Sequence, residues 1–182
     1  LTSFTGRIVG AARLNVATYE EVEADPTATR QAMVVVVLAS VAAGIGSVGL
    51  GEGGLSSIVY GTLGSLFGWV LWAFMTYVIG TRLLPEPQTR ADMGQLLRTL
   101  GFAQSPSLAR VFVALPDVGP LVLVIVSLWM LVAMVIAVRQ ALDYSSTWRA
   151  VGVCVIGWVV AVAVPAILIL SSEAIAPRSV IP

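Results

Sequence analysis

The sequence contains no lysine and no histidine, and Cys154 is its only cysteine. Without histidine there is no imidazole for acid–base chemistry at neutral pH and none to ligate a metal or haem. One thiol cannot close a disulfide within the chain. Cys154 stands between Val153 and Val155 in an apolar run, where a free thiol behaves as a small buried hydrophobe. Charge is scarce as well: charged residues are 11% of the chain, and ten Arg balance ten Asp and Glu. That balance leaves no electrostatic footprint for nucleic acid, and no such partner is expected. No nucleophile–base pair and no phosphate-cradling glycine loop stands out, so we expect no enzymatic site and no cofactor.

What the chain has in excess is apolar surface. Hydrophobic residues make up 58% of it, against ~45–50% in a soluble domain. They lie in long runs nearly free of charge, which need lipid as their solvent. The pattern predicts an all-α, polytopic transmembrane bundle of about five helices with an N-terminal amphipathic segment. The transmembrane domain covers 26–171, with spans at about 31–50, 56–80, 92–116, 120–138 and 150–170. Residues 1–25 read as a cytoplasmic amphipathic and acidic segment, and 172–182 as a short external tail. The opening residues lack the apolar core of a secretory signal, and an initiator Met is expected to precede Leu1. Asp25-Pro26 forms a helix start, with Asp as N-cap and Pro in the first helical position.

The third span is unlike the others. It carries Arg98, Gln104 and Arg110, and Pro106 interrupts any continuous helix. We expect two helical pieces, broken or steeply tilted, or else an interfacial helix with a re-entrant piece. Polar groups at membrane depth need protein or water around them, so neighbouring helices should shield this span. Orientation follows from arginine. Arg7, Arg13 and Arg30 precede the first span, Arg82 and Arg90 follow the second, and Arg139 and Arg149 follow the fourth. The other two loops hold only Glu52 and Asp117. The N-terminus is therefore expected inside and the C-terminus outside, with Arg178 the single departure.

Gly64 and Gly68 in the second span, and Gly157 and Ala161 in the fifth, are spaced four apart. Small residues at that spacing let helices approach closely in lipid, first within the monomer and second in a homo-oligomer. Arg139 and Asp143 are placed for an ion pair at a helix end. Arg110 and Asp117 stand two turns apart, and an intramembrane Arg is a candidate functional group, unless it snorkels to the interface. Glu20, Glu21, Glu23, Arg98, Arg110 and Arg139 are the candidates for contact with a partner or with membrane lipids.

Several stretches carry a resemblance. Tyr19-Glu20-Glu21-Val22-Glu23-Ala24-Asp25-Pro26 resembles the N-terminal segment of the bacterial branch of the YIP-domain family of multipass membrane proteins. Gly68-Trp69 and Tyr77-Val78-Ile79-Gly80-Thr81 are similar to its second span, and Leu96-Leu97-Arg98-Thr99-Leu100-Gly101-Phe102-Ala103 with Pro106 to its third. Trp129 and Val138-Arg139-Gln140-Ala141-Leu142 are similar to its fourth. The resemblance implies five spans and a cytoplasmic N-terminus. Eukaryotic relatives bind Rab-type GTPases in vesicle traffic, but their aspartate-leucine-tyrosine-glycine-proline segment is absent here. The expected role is a scaffold or accessory subunit of a larger membrane complex, or a homo-oligomer, in a bacterial cytoplasmic membrane. The alternatives are a small transporter or channel using the broken third span, and membrane shaping by the N-terminal segment.

Overall fold

A computed structural model describes residues 2–51 and 54–175, so Glu52, Arg178 and most of the expected tail lie outside the described residues. The helices are α1 (Phe4–Ala12), α2 (Val16–Ala24), α3 (Ala28–Gly49), α4 (Leu55–Val78), α5 (Met93–Phe102), α6 (Gly119–Ala141) and α7 (Thr147–Ile175). A π-helical turn, Ile79–Leu83, continues α4, and a 3₁₀ stretch, Ser105–Ala114, follows α5. No strand occurs among the described residues. Four helices there are long and apolar enough to span a membrane: Ala28–Gly49, Leu55–Leu83, Gly119–Ala141 and Thr147–Val164.

The third segment is not a fifth helix of that kind, and the local sequence says why. Asp92 and Gln95 open α5 with reciprocal side-chain-to-amide bonds of 2.9 and 2.7 Å, a capping box. Pro106 then removes an amide and its ring would strike the carbonyl one turn back. The helix stops at Phe102, and the chain resumes as a tighter 3₁₀ coil. Ten residues at ~1.5 Å and ten at ~2.0 Å give roughly 35 Å, enough to match a long helix.

The segment lies along α3. A Cβ on Gly101 would stand 2.7 Å from the Cβ of Ala32, and one on Gly46 would stand 2.5 Å from the Arg110 carbonyl oxygen. One on Gly49 would strike Ala114. Matched from 32 to 49, the two elements run side by side for ~25 Å. Gly119 then meets Leu50 as α6 starts back. The chain thus runs the length of the bundle five times, four times as a long helix and once as a broken one. Arg7, Arg30, Arg82, Arg90, Arg98, Arg139 and Arg149 fall at one end, hereafter the arginine end.

The N-terminal segment is a wall of the bundle rather than a free arm. Trp129 Nε1 donates to the Ala12 carbonyl at 2.7 Å, and Gln140 Nε2 to Glu20 at 3.0 Å. These two α6 residues are ~16 Å apart along the helix, so the α1–α2 hairpin lies lengthwise against it. Phe4, Ile8 and Leu14 pack against the buried core, and the Phe4 and Phe102 rings meet edge to face at 6.5 Å. Arg7, 2% exposed, bonds Glu21 at 3.0 Å, Asp25 at 2.8 Å and Gln31 at 2.9 Å. It ties both helices of the hairpin to the start of α3. The first formally helical residue of α3 is Ala28, two later than expected, but Asp25 still accepts the Thr27 amide at 2.9 Å as a capping carboxylate does.

Packing is uneven along the bundle. Leu96, Leu100, Ala133, Ala137, Val138, Leu142 and Val153 are all buried and all belong to the arginine half. At that end Tyr144 Oη lies 3.0 and 2.7 Å from the carbonyls of Gly80 and Leu84, which the π-turn leaves free. Glu86 takes the Ser145 amide at 2.9 Å and hydroxyl at 2.7 Å and pairs with Arg149 at 3.4 Å. The hydroxyl and amide bonds from Ser145 hold the Glu86 carboxyl below its ordinary range. Packing opens from mid-depth toward the opposite end, and there the candidate site begins.

Candidate functional site

A chamber of about 430 Å³ sits at mid-depth between α3, α4, the third segment, α6 and α7. Val36, Ala39, Met130, Leu131, Met134, Val135, Cys154 and Trp158 make its walls apolar. Its polar groups are Ser40, Ser65, Gln104, Ser107, the Trp72 indole and Arg110, and no Asp or Glu lines it among the described residues. Pro106 is responsible for this mixture. By stopping α5 it turns the chain into a 3₁₀ coil, whose three-residue repeat brings Gln104, Ser107 and Arg110 to one side.

Two of these polar groups are unpaired. Arg110 Nε and Trp72 Nε1 are buried and find no hydrogen-bond partner among the described residues. A buried donor left unbonded costs ~1–3 kcal/mol, and more when charged. The expected pairing of Arg110 with Asp117 is not made among the described ion pairs. The segment leaves its coil after Ala114, and Asp117 turns at a positive φ of 65°, so the two-turn helical spacing does not exist.

A narrower groove of about 220 Å³ runs between α3 and α4 and shares Ser40, Ala43 and Ser65 with the chamber. Ser47 and Ser57 line its far end, beside the α3–α4 loop. The seam is held by Ser40, whose hydroxyl is 3.0 Å from that of Thr62. Toward the arginine end the chamber is closed by Trp69, which donates to the Leu97 carbonyl at 3.0 Å, and by Leu100.

A second recess, about 550 Å³, lies at the arginine end among Glu20, Glu23, Arg139, Gln140 and Asp143. Burial, reinforced by Asp143 and only partly offset by Arg98, lifts the Glu23 carboxyl to about 7. Arg139 does not pair with Asp143. Helix α6 ends at Ala141 and Asp143 has a left-handed φ of 52°, so the four-residue helical register is lost. Instead Arg139 donates to the carbonyls of Tyr144 at 3.2 Å and Ser145 at 3.4 Å.

The remaining sequence candidates are placed as follows. Arg98 is buried and donates to the backbone carbonyls of Val22 and Glu23, neutralising the negative end of α2. Glu21 is taken up by Arg7 and Thr2, Glu23 accepts from Gln95, and Glu20 accepts from Gln140. Gly157 faces the Trp72 ring, while Ala161 is exposed. Gly64 and Gly68 do not pack within the monomer, since a Cβ at either meets nothing within 4 Å among the described residues. Close contacts in the bundle occur at Gly46, Gly49 and Gly101, among others, none of them a position expected for helix packing. The small residues crowding the later half of α3 were the signal that marked two of them.

The Yip1 domain matches residues 15–168 of the chain. Comparison with curated proteins gave no match, and neither did comparison with solved structures. The matched stretch runs from α2 into the second half of α7 and so takes in the third segment, the chamber and its groove. With most of its length matched and four apolar helices of membrane-spanning length, this chain belongs to the Yip1-domain family of multipass membrane proteins.

Proposed function

We propose that the chain is a non-enzymatic scaffold or accessory subunit that docks another membrane protein through the open face of α4. The observation that carries this reading is a stripe of small residues. Ser57, Gly61, Gly64 and Gly68 fall on one side of α4, and the three glycines meet nothing within 4 Å among the described residues. This helix is also the least covered of the four, with 11% of its apolar window buried against 33% for α3. Each glycine weakens a helix by about 1 kcal/mol relative to alanine. In lipid that cost is offset where a second helix packs closely against the stripe.

The arginine end belongs on the cytoplasmic side of a bacterial membrane by the positive-inside rule. Five crossings then put the N-terminus inside and the C-terminus outside. Transport is less well supported, because Trp69 and Leu100 close the chamber toward the arginine end and leave a one-sided recess. Membrane shaping is less supported too, because the apolar face of α1 is engaged in the core.

The experiment is purification of the native protein in a gentle detergent, with mass spectrometry of whatever migrates with it. A stoichiometric partner that is lost on Gly64→Leu with Gly68→Leu supports the proposal. A chain that migrates alone, or a partner retained by the double variant, contradicts it.

A further inference from the structure

We infer that the chamber and its groove form a binding site for an amphiphilic anion, a phosphate or carboxylate head on an apolar chain, with Arg110 as the group that holds the head. Arg110 borders the chamber, its Nε is buried, and among the described residues that Nε has no partner and no carboxylate lines the space. The side chain as a whole is only partly buried, and a guanidinium lining the chamber with no counter-ion among the described residues favours an anionic ligand. Its planar set of donors fits a phosphate or carboxylate in two-point contact. The Trp72 indole N–H, also buried and unbonded, adds a second donor to the same chamber.

The shape agrees with such a ligand. A volume of about 430 Å³ lies within the ~300–1,000 Å³ of small-molecule sites. Met130, Leu131 and Trp158 in the same lining offer apolar surface for a chain. The groove supplies a route for the head. Its hydroxyls, Ser47 and Ser57 near the α3–α4 loop and Ser40 and Ser65 at the chamber, form a polar strip beside the lipid. The route stops at Trp69 and Leu100, so the site draws from the leaflet at the end opposite the arginines. Ser57 and Gly61 of the α4 stripe also line this groove, and Gly68 the chamber, but the route requires no partner on α4, and the isolated chain tests it.

The test is native mass spectrometry of the purified full chain, titrated separately with dioleoyl-phosphatidylglycerol, oleate and dioleoyl-phosphatidylcholine. The wild type should bind one anion at least about tenfold more tightly than phosphatidylcholine, the worth of one charge-assisted contact. Preference for phosphatidylglycerol identifies a lipid phosphate, and preference for oleate a free carboxylate. Arg110→Gln should abolish the preference. Ala43→Phe, which fills the junction of groove and chamber without touching the charge, should lower affinity for anion and zwitterion alike. Equal binding of all three probes by the wild type overturns the proposal, as does undiminished preference in Arg110→Gln. If Arg110→Gln fails to fold, Ala43→Phe decides, and unchanged anion affinity in it overturns the site.

Discussion

Substituting Gly46 by alanine would place a methyl group 2.5 Å from the Arg110 carbonyl oxygen and 3.2 Å from the Val113 Cβ, where ordinary contact is 3.4–4 Å. The obstacle is backbone, so relief requires the 3₁₀ stretch to move ~1 Å away from α3. Overpacking of this kind costs ~1–3 kcal/mol. Alanine's better helix propensity returns at most ~1 kcal/mol, which leaves Gly46→Ala destabilised by up to ~2 kcal/mol. Gly64 has only the propensity gain, because nothing lies within 4 Å of its Cβ position. The propensity gain is common to both, so the two variants should differ by the overpacking cost alone, ~1–3 kcal/mol. Reversible unfolding in mixed micelles of increasing dodecyl sulfate fraction, followed by far-ultraviolet circular dichroism, measures the difference. If Gly46→Ala proves as stable as Gly64→Ala, the third segment does not lie against α3 as described.

Three further outcomes follow from the arginine end. Arg7→Gln should cost about 2 kcal/mol in the same assay, less than the usual loss for breaking a buried pair, because Glu21 and Asp25 remain 24% and 17% exposed. A double-mutant cycle with Asp25→Asn would then show coupling, and strict additivity would contradict the clasp. The Glu23 carboxyl, lifted from 4.5 to about 7, keeps a proton in the folded state that the unfolded chain has lost. Its contribution is full below pH ~4.5 and declines as pH rises to about 7. Glu23→Gln should remove that slope and be the more stable protein at pH 8, and an unaltered slope would refute the assignment. Arg98→Met should release the carbonyl end of α2, which hydrogen exchange would register as faster exchange in α2 with α6 unaffected. Unchanged exchange there would mean the guanidinium does not hold the hairpin.

The parts of this molecule that depend on solvent were legible in the sequence, and those that depend on a specific neighbour were not. Four uncharged runs announce four long helices because only lipid accommodates them. Pro106 announces the break in the third segment because a missing amide acts locally. The four-residue glycine spacing, by contrast, states that a face is small without stating what approaches it. In α4 that face meets nothing within 4 Å at Gly61, Gly64 and Gly68 among the described residues, while close contacts occur at Gly46, Gly49 and Gly101, among others. The charged pairs failed for a related reason. Arg139 with Asp143, and Arg110 with Asp117, were matched on helical spacing, and each pair straddles a point where the helix has ended. Arg98 was read as an outward contact because a charge in an apolar stretch suggests a ligand. It is satisfied by backbone carbonyls 75 residues away in sequence, a partner that no local pattern encodes. The chamber was visible only as Arg110 itself, since its walls come from five separate elements.

The third segment runs the full length of the bundle, and that course places Arg110 at the chamber and puts the loops at Thr89 and Asp117 at opposite ends of the bundle. Single cysteines at Thr89, Asp117 and Ser145, each in a Cys154→Ala background, can be reacted with a membrane-impermeant maleimide in sealed vesicles of known orientation. Thr89→Cys and Ser145→Cys should label from one side and Asp117→Cys only from the other. Labelling of all three from the same side would show that the segment turns back before crossing, and would contradict the account.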